Sequence, residues 1–113
     1  MVNLELKCRN GILLNDHQVL LKRAKSDKTY KVDSIFIEAH KYAYLIGQWL
    51  TNQEIPLYVN FLNDGKVLVW NLSRLSKTPE MKFIEHIWDE GRKEYKNEWR
   101  MSLKINDAKI YKI

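Results

Sequence analysis

Residues 57–72 read LYVNFLNDGKVLVWNL, and this stretch decides more of the fold than any other. Both of its halves are rich in β-branched and aromatic residues, which favour extended strands. Asn63, Asp64 and Gly65 separate the halves, and Asp-Gly between two strand-forming runs is typical of a tight hairpin. The sequence therefore predicts an antiparallel hairpin with strands over 57–62 and 66–72.

Near the start of the chain, residues 2–7 alternate between apolar and polar side chains. This period is typical of a strand with one buried side. We expect Leu4 and Leu6 on the buried side, and Cys8 beyond them as a buried, unreactive thiol. Glu5 and Lys7 then project together from the exposed side, two residues' rise apart.

Three helices are predicted between and beyond these strands. Asn15 is expected to cap a short helix from Asp16 to Ala24, and an exposed basic loop over 22–31 follows it. A long helix is expected to begin near Asp33 or Ser34 and to end before Pro56. Its stripe of apolar residues, spaced for one helical face, is expected in the core: Tyr42, Ile46, Trp49 and Leu50.

The third helix is predicted from Thr78-Pro79 to Gly91, with proline in its favoured first position. His86 and Asp89 would then lie one turn apart, a spacing that can share a metal, although a solvated helix face is the simpler interpretation. The tail predicts two more strands, about 99–105 and 108–113, joined as a hairpin by a turn at Asn106-Asp107. Together the elements predict one α+β domain over 1–113, with a mixed sheet and flanking helices.

Composition limits the class of protein. The chain has 113 residues, of which 45% are hydrophobic, so it is long enough for a core and not typical of disorder. A single cysteine excludes an internal disulfide, and no apolar run approaches the roughly 20 residues of a membrane helix. We therefore expect a cytoplasmic protein, in the host cytoplasm if the gene is viral, without a membrane partner. The net charge of +5 permits a phosphate-bearing partner.

Glu5-x-Lys7 is the stretch with the most specific chemistry. A carboxylate that binds Mg²⁺ beside a lysine that steadies developing negative charge suits phosphodiester hydrolysis. The simpler alternative is that Glu5 and Lys7 alternate on an exposed strand for solvation and cross-strand pairing.

The wider sequence around this motif resembles the PD-(D/E)XK, or restriction-endonuclease-like, nuclease superfamily. Residues 4–10, LELKCRN, are similar to its catalytic strand, and residues 30–45 to the helix that follows. Residues 55–72 resemble the hairpin of small phage and prophage members. The resemblance spans roughly residues 2–75 and implies a restriction-endonuclease-like partial fold. It also implies catalytic roles for Glu5 and Lys7, with Glu5 as a ligand of Mg²⁺.

The sequence departs from the family at the first metal-binding aspartate, which should lie on a strand before Glu5. Only four residues precede Glu5, and Asp16, Asp27 and Asp33 all follow Lys7. Catalysis would require a second carboxylate from another chain or from Asp33, so we expect Mg²⁺ only if the protein is catalytic. Lacking that strand, the sheet would have an unpaired edge, which predicts a homodimer or a larger protein partner.

Two functions remain open from the sequence. The first is a nucleic-acid-binding protein of nuclease ancestry, and an endonuclease if the second carboxylate is supplied. Its phosphate contacts are predicted at five basic residues: Arg9, Lys22, Arg23, Lys25 and Lys41. The alternative is a small, non-catalytic phage or mobile-element protein that inhibits a host defence enzyme by direct contact. In either case, one of Trp70, Trp88 and Trp99 is a candidate contact residue.

Overall fold

The computed structural model describes residues 1–23 and 26–113. Within these ranges the chain is an α+β fold made mostly of strands, with a single α-helix. The elements, in chain order, are β1 (Val2–Cys8), β2 (Gly11–Asn15), β3 (Gln18–Lys22), β4 (Thr29–Val32), β5 (Ser34–Glu38), α1 (Ala39–Asn52), β6 (Ile55–Phe61), β7 (Lys66–Asn71), β8 (Glu80–Asp89), β9 (Glu94–Lys104), a 3-10 turn (Ile105–Asp107) and β10 (Lys109–Lys112). That helix is too short and too polar to cross a membrane.

A mixed four-stranded sheet, which we call the central sheet, has the order β1-β6-β7-β10. The predicted hairpin is confirmed as β6 and β7, and Gly65 makes its turn with a φ of 78°, a conformation that glycine adopts without strain. β1 is confirmed as a strand and pairs in parallel with β6, from Val2 opposite Ile55 to Cys8 opposite Phe61. The intervening chain, which contains α1, makes the crossover that a parallel pair requires.

The predicted helix from Asp16 to Ala24 is wrong as far as the structure describes it, since Ala24 lies outside the described residues. Residues 11–22 form an antiparallel hairpin, β2 and β3, and β4 completes a three-stranded meander. Asn15 does not cap a helix: its Oδ1 accepts a hydrogen bond from the backbone N–H of His17 at 3.0 Å and closes the hairpin turn. The predicted loop over 22–31 is correspondingly shorter, because β4 begins at Thr29.

The long helix begins later than predicted. Residues 34–38 form β5, in which Ile35 and Ile37 are buried on alternate positions, and α1 starts only at Ala39. Leu45 is the fully buried residue of the helix, and Tyr42 and Ile46 pack against the core as expected. Leu50 was predicted in the core but is 75% exposed.

The predicted helix from Pro79 to Gly91 is wrong, because these residues form β8 in a long hairpin with β9. Aromatic pairs across the hairpin help to hold it: the ring centroids of Phe83 and Trp99 are 5.0 Å apart, and such pairs stabilise by about 0.5–1.5 kcal/mol. His86 and Asp89 therefore lie on a strand and not one helical turn apart. The two tail strands are confirmed, but not as a hairpin: β9 pairs with β5 and β8, while β10 pairs with β7.

The core lies between one side of the central sheet, α1 and the strands β5 and β9. Trp70 is completely buried there, and its indole N–H donates to the backbone carbonyl of Lys104 at 2.8 Å. On β1 the burial is the reverse of the prediction. Glu5 is on the side that faces α1, whereas Leu4 and Leu6 are 53% and 56% exposed, and the thiol of Cys8 is exposed.

Candidate phosphate-binding cleft

A small cleft opens where β1 passes the end of β5 and the start of α1. Its volume is about 30 Å³, which admits one or two water-sized groups and not a sugar or a base. Charged side chains dominate its walls, and polar and apolar groups complete them. The lining residues are Glu5, Lys7, Arg9, Phe36, Ile37, Glu38, Lys41, Tyr58, Glu98 and Arg100.

Four of the predicted site residues meet in this cleft. Glu5 and Lys7 line it from β1, as their alternation predicts, and Arg9 and Lys41 line it with them. The Lys41 ammonium lies 3.0 Å from Glu5 Oε1 and 3.6 Å from Glu38 Oε1, so one cation joins two carboxylates. The hydrogen bond to Glu5 raises the pKa of Lys41, and the charge of Glu38 adds to this effect.

Arg9 has a structural position that the sequence does not show. Its Nε donates to Asn60 Oδ1 at 2.8 Å, and its Nη2 donates to the Phe36 carbonyl at 2.6 Å and to the Tyr58 hydroxyl at 2.8 Å. The Tyr58 hydroxyl in turn donates to the Phe36 carbonyl at 3.0 Å. Two edges of the guanidinium are thus used inside the protein, so the phosphate contact predicted for Arg9 cannot be a bidentate one.

The hydrogen-bond partners of Arg9 are uncharged, and within residues 1–23 and 26–113 no carboxylate forms an ion pair with its guanidinium. Asn60 is completely buried, and no described residue accepts a hydrogen bond from its Nδ2. The Arg9 N–H aimed at Oδ1 fixes which way this amide is turned. Arg9 therefore ties β1, β5 and β6 together and leaves a positive charge beside the cleft.

Lys7 is the cation that the cleft leaves unpaired. Among the residues that the structure describes, its ammonium makes neither a hydrogen bond nor an ion pair. Partial burial lowers the pKa of Lys7, and the charges of Arg9 and Lys41 lower it further, against the opposing effect of the Glu38 carboxylate. The protein thus holds a cation near other cations, which favours an anion as the missing partner.

The far wall of the cleft comes from β9 and was missed in the sequence. Glu98 Oε1 accepts from Arg100 Nε at 2.7 Å, and Lys96 lies 3.4 Å from the other oxygen. Burial acts to raise the pKa of Glu98, but the hydrogen bond and charge of Arg100 outweigh it, and the pKa is lowered. The alternation of Lys96, Glu98 and Arg100 on one side of a strand could have indicated this wall. The predicted strand began at Trp99 and therefore left out Lys96 and Glu98.

The cleft does not fit a magnesium ion as it is arranged. The carboxylates of Glu5 and Glu38 both contact one cation, as two metal ligands would. That cation is the Lys41 ammonium, which occupies the space between them. Across 1–23 and 26–113, no group of three or more histidine, cysteine, aspartate or glutamate side chains is placed to hold a metal. Asp33, the expected internal source of a second carboxylate, lies away from the cleft, 3.5 Å from the Lys104 ammonium.

Two of the other predicted phosphate contacts, Lys22 and Arg23, lie at the end of β3, outside the cleft. The backbone N–H of Lys22 donates to the Asn10 carbonyl at 2.9 Å, which places the basic end of β3 beside the chain leaving the cleft. The Lys22 ammonium pairs with Asp27 at 3.3 Å, and the Arg23 guanidinium covers the ring of Tyr30. Lys25 lies outside the described residues.

An apolar groove lies between α1 and the β8–β9 hairpin. It measures about 630 Å³ and is lined by Ala39, His40, Tyr42, Ala43, Met81, Glu98, Trp99 and Met101. Trp99 is 52% exposed on its rim, whereas Trp70 belongs to the core. Of the three tryptophans proposed for contact, Trp99 is therefore the one placed for it most clearly.

Comparisons with known proteins return nothing for this chain: no protein-family model, no curated protein and no solved structure matches it.

Proposed function

We propose that this is a nucleic-acid-binding protein of PD-(D/E)XK ancestry that holds one backbone phosphate at the mouth of the cleft. The observation that carries the proposal is the unpaired Lys7 ammonium beside the uncompensated charge of Arg9. A phosphate oxygen is small enough for a cleft of about 30 Å³, and the rest of a nucleotide would stay outside.

The charge balance of the cleft supports an anionic ligand. Lys41 and Arg100 are each neutralised by carboxylates, at 3.0 Å and 2.7 Å respectively. Lys7 and Arg9 remain as the positive end. Glu5 on the same strand as Lys7, and Glu38 and Glu98 on the other walls, would repel a phosphate that entered deeply, so the ligand is expected at the Lys7 end only.

The meander extends this positive end. The hydrogen bond from the Lys22 backbone to Asn10 brings the end of β3 next to the chain that follows Arg9. Neighbouring phosphates of one strand could meet Lys22 and Arg23 while the first phosphate sits at Lys7. Such contacts follow the backbone and not the bases, so we expect binding without strong sequence preference.

Fluorescence anisotropy with labelled single-stranded DNA, duplex DNA and RNA tests the proposal. Binding should weaken steeply with added salt, and Lys7→Ala should lower the slope of log affinity against log salt by about 1. Lys112→Ala is the matched control, since Lys112 is an exposed lysine on β10, at the opposite edge of the central sheet. Equal losses in the two variants, or no binding at low salt, would contradict the proposal.

A plasmid-nicking assay with Mg²⁺ or Mn²⁺ separates binding from catalysis. We expect no cleavage that depends on Glu5, because the Lys41 ammonium occupies the position between Glu5 and Glu38. Cleavage by the wild type that disappears in Glu5→Ala would instead show that the protein is an endonuclease.

The apolar groove favours a second candidate, a non-catalytic protein that inhibits a host defence enzyme by contact. Half-exposed Trp99 and Phe83 form an aromatic pair beside the groove, and aromatic residues are enriched in protein interfaces. Capture of a host protein that survives nuclease treatment, is lost in Trp99→Ala and is kept in Lys7→Ala would favour this candidate. Capture that nuclease abolishes would favour nucleic-acid binding.

A further inference from the structure

The side of the central sheet that faces away from α1 carries apolar side chains, and several of those near its two edges are half-exposed. In a ladder, residues paired across strands project from the same side of the sheet. Leu4 pairs with Leu57, and Leu6 pairs with Val59 and through it with Val69, so one apolar side runs across three strands. We call this surface the open face and define it by Leu4, Leu6, Leu57, Val69 and Tyr111. Val59, between Leu6 and Val69, is only 8% exposed, and Lys109 projects from the same side of β10.

The exposure of the open face is large for a protein of this size. Leu4, Leu6 and Tyr111 are between 52% and 56% exposed, and Val2 and Ile55 at the end of the same side are 48% and 36% exposed. The largest apolar patch on a typical monomer measures about 300–600 Å² and often marks a binding site. A standard protein interface buries about 800 Å² on each partner, so the patch could form the centre of one.

We propose that the open face is covered by the open face of a second copy of this chain. A flat sheet face packs well against another flat sheet face, about 10 Å away, as in β-sandwiches. The groove of about 330 Å³ on this face has both signs of charge at its rim, Arg74 and Asp107. A two-fold axis through the face would let Arg74 of each copy approach Asp107 of the other.

The charge of the chain predicts how this dimer responds to salt. Each copy carries a net charge of +5, so the two copies repel each other at long range, and added salt screens that repulsion. Salt also weakens the Arg74–Asp107 pairs, so the two effects oppose each other and the dimer should change little in affinity, whereas nucleic-acid binding weakens steeply. The two interactions can be told apart in the same buffers, and the dimer does not depend on the proposed phosphate site.

Sedimentation velocity between about 1 and 100 µM tests the proposal, a range that covers micromolar dissociation constants. The wild type should sediment with twice the 13.6 kDa mass of the chain. Leu4→Glu should raise the dimer dissociation constant by at least about tenfold, because it buries an unpaired charge in the interface. Leu50→Glu is the matched control on α1, where the leucine is 75% exposed and away from the open face, and it should leave the dimer intact.

The far-ultraviolet circular dichroism of each variant establishes that it is folded. Leu4 is exposed in the single chain, so its replacement should not unfold the protein. If it does, Leu6→Glu on the same face gives the same test. A wild type that is monomeric at 100 µM, a dimer that survives both substitutions, or a dimer that dissociates as salt rises would overturn the proposal.

Discussion

Replacing Arg9 by alanine should destabilise the protein far more than removing an arginine from its surface. The substitution removes three hydrogen bonds at 2.6–2.8 Å and leaves Asn60 Oδ1 buried without a donor. The Phe36 carbonyl still accepts a hydrogen bond from the Tyr58 hydroxyl, so this carbonyl is not left without a donor. Hydrogen bonds to charged groups are worth about 1.5–3 kcal/mol and an orphaned buried acceptor costs about 1–3 kcal/mol. Because the groups share partners, we expect a total loss of about 2–4 kcal/mol in the free energy of unfolding.

Urea unfolding followed by tryptophan fluorescence measures this loss directly. Arg92→Ala, which removes an exposed arginine from the β8–β9 turn, should change the free energy of unfolding by less than about 0.5 kcal/mol. In a double-mutant cycle with Asn60→Leu, the two substitutions should be less costly together than their separate effects predict, since the double variant leaves no orphaned amide oxygen. The reasoning is refuted if Arg9→Ala is as mild as Arg92→Ala, or if the cycle is additive.

Two further predictions concern backbone space and pH. Gly11→Ala should destabilise the protein by about 1–3 kcal/mol, because its Cβ would lie 2.6 Å from the Leu20 carbonyl oxygen. Gly47→Ala, in α1 with no atom within 4 Å of the new Cβ, should instead stabilise it by about 0.5–1 kcal/mol, and urea unfolding of both variants checks the contrast in sign. The pKa of Glu98 is lowered, so this group stabilises the fold above its ordinary pKa of 4.5 and loses that effect as pH falls through the lowered value. Glu98→Gln should therefore flatten the dependence of stability on pH below 4.5, and an unchanged pH profile would contradict the assignment.

The parts of the fold that local sequence decides were predictable. The β6–β7 hairpin follows from Asp64-Gly65 between two strand-forming runs, and the alternation of residues 2–7 correctly predicts β1. The same logic places Glu5 and Lys7 on one side of the strand. Each of these features depends on residues that are neighbours in the chain.

The parts decided by distant residues were not predictable. The stretch from Pro79 to Gly91 has apolar residues at spacings that suit either a helix or a strand, and its pairing with β9 across the hairpin decides between them. The alternation of apolar and polar residues along β1 shows that its two sides differ. It does not show which of the two sides α1 will cover. In the cleft, tertiary packing decides that β9 lies opposite β1 and that Asn60 anchors Arg9.

The way in which Arg9 is held also bears on the order of folding. Its three acceptors belong to β5 and β6, while Arg9 itself directly follows β1. The pairing of Val2 with Ile55 closes a long loop before it gains any contact, and such non-local pairings slow folding to the range of milliseconds to seconds. Because the cleft depends on this pairing, we expect it to form late as the chain folds. A ligand that binds at Lys7 would select molecules in which that late step is complete and would stabilise them against reopening.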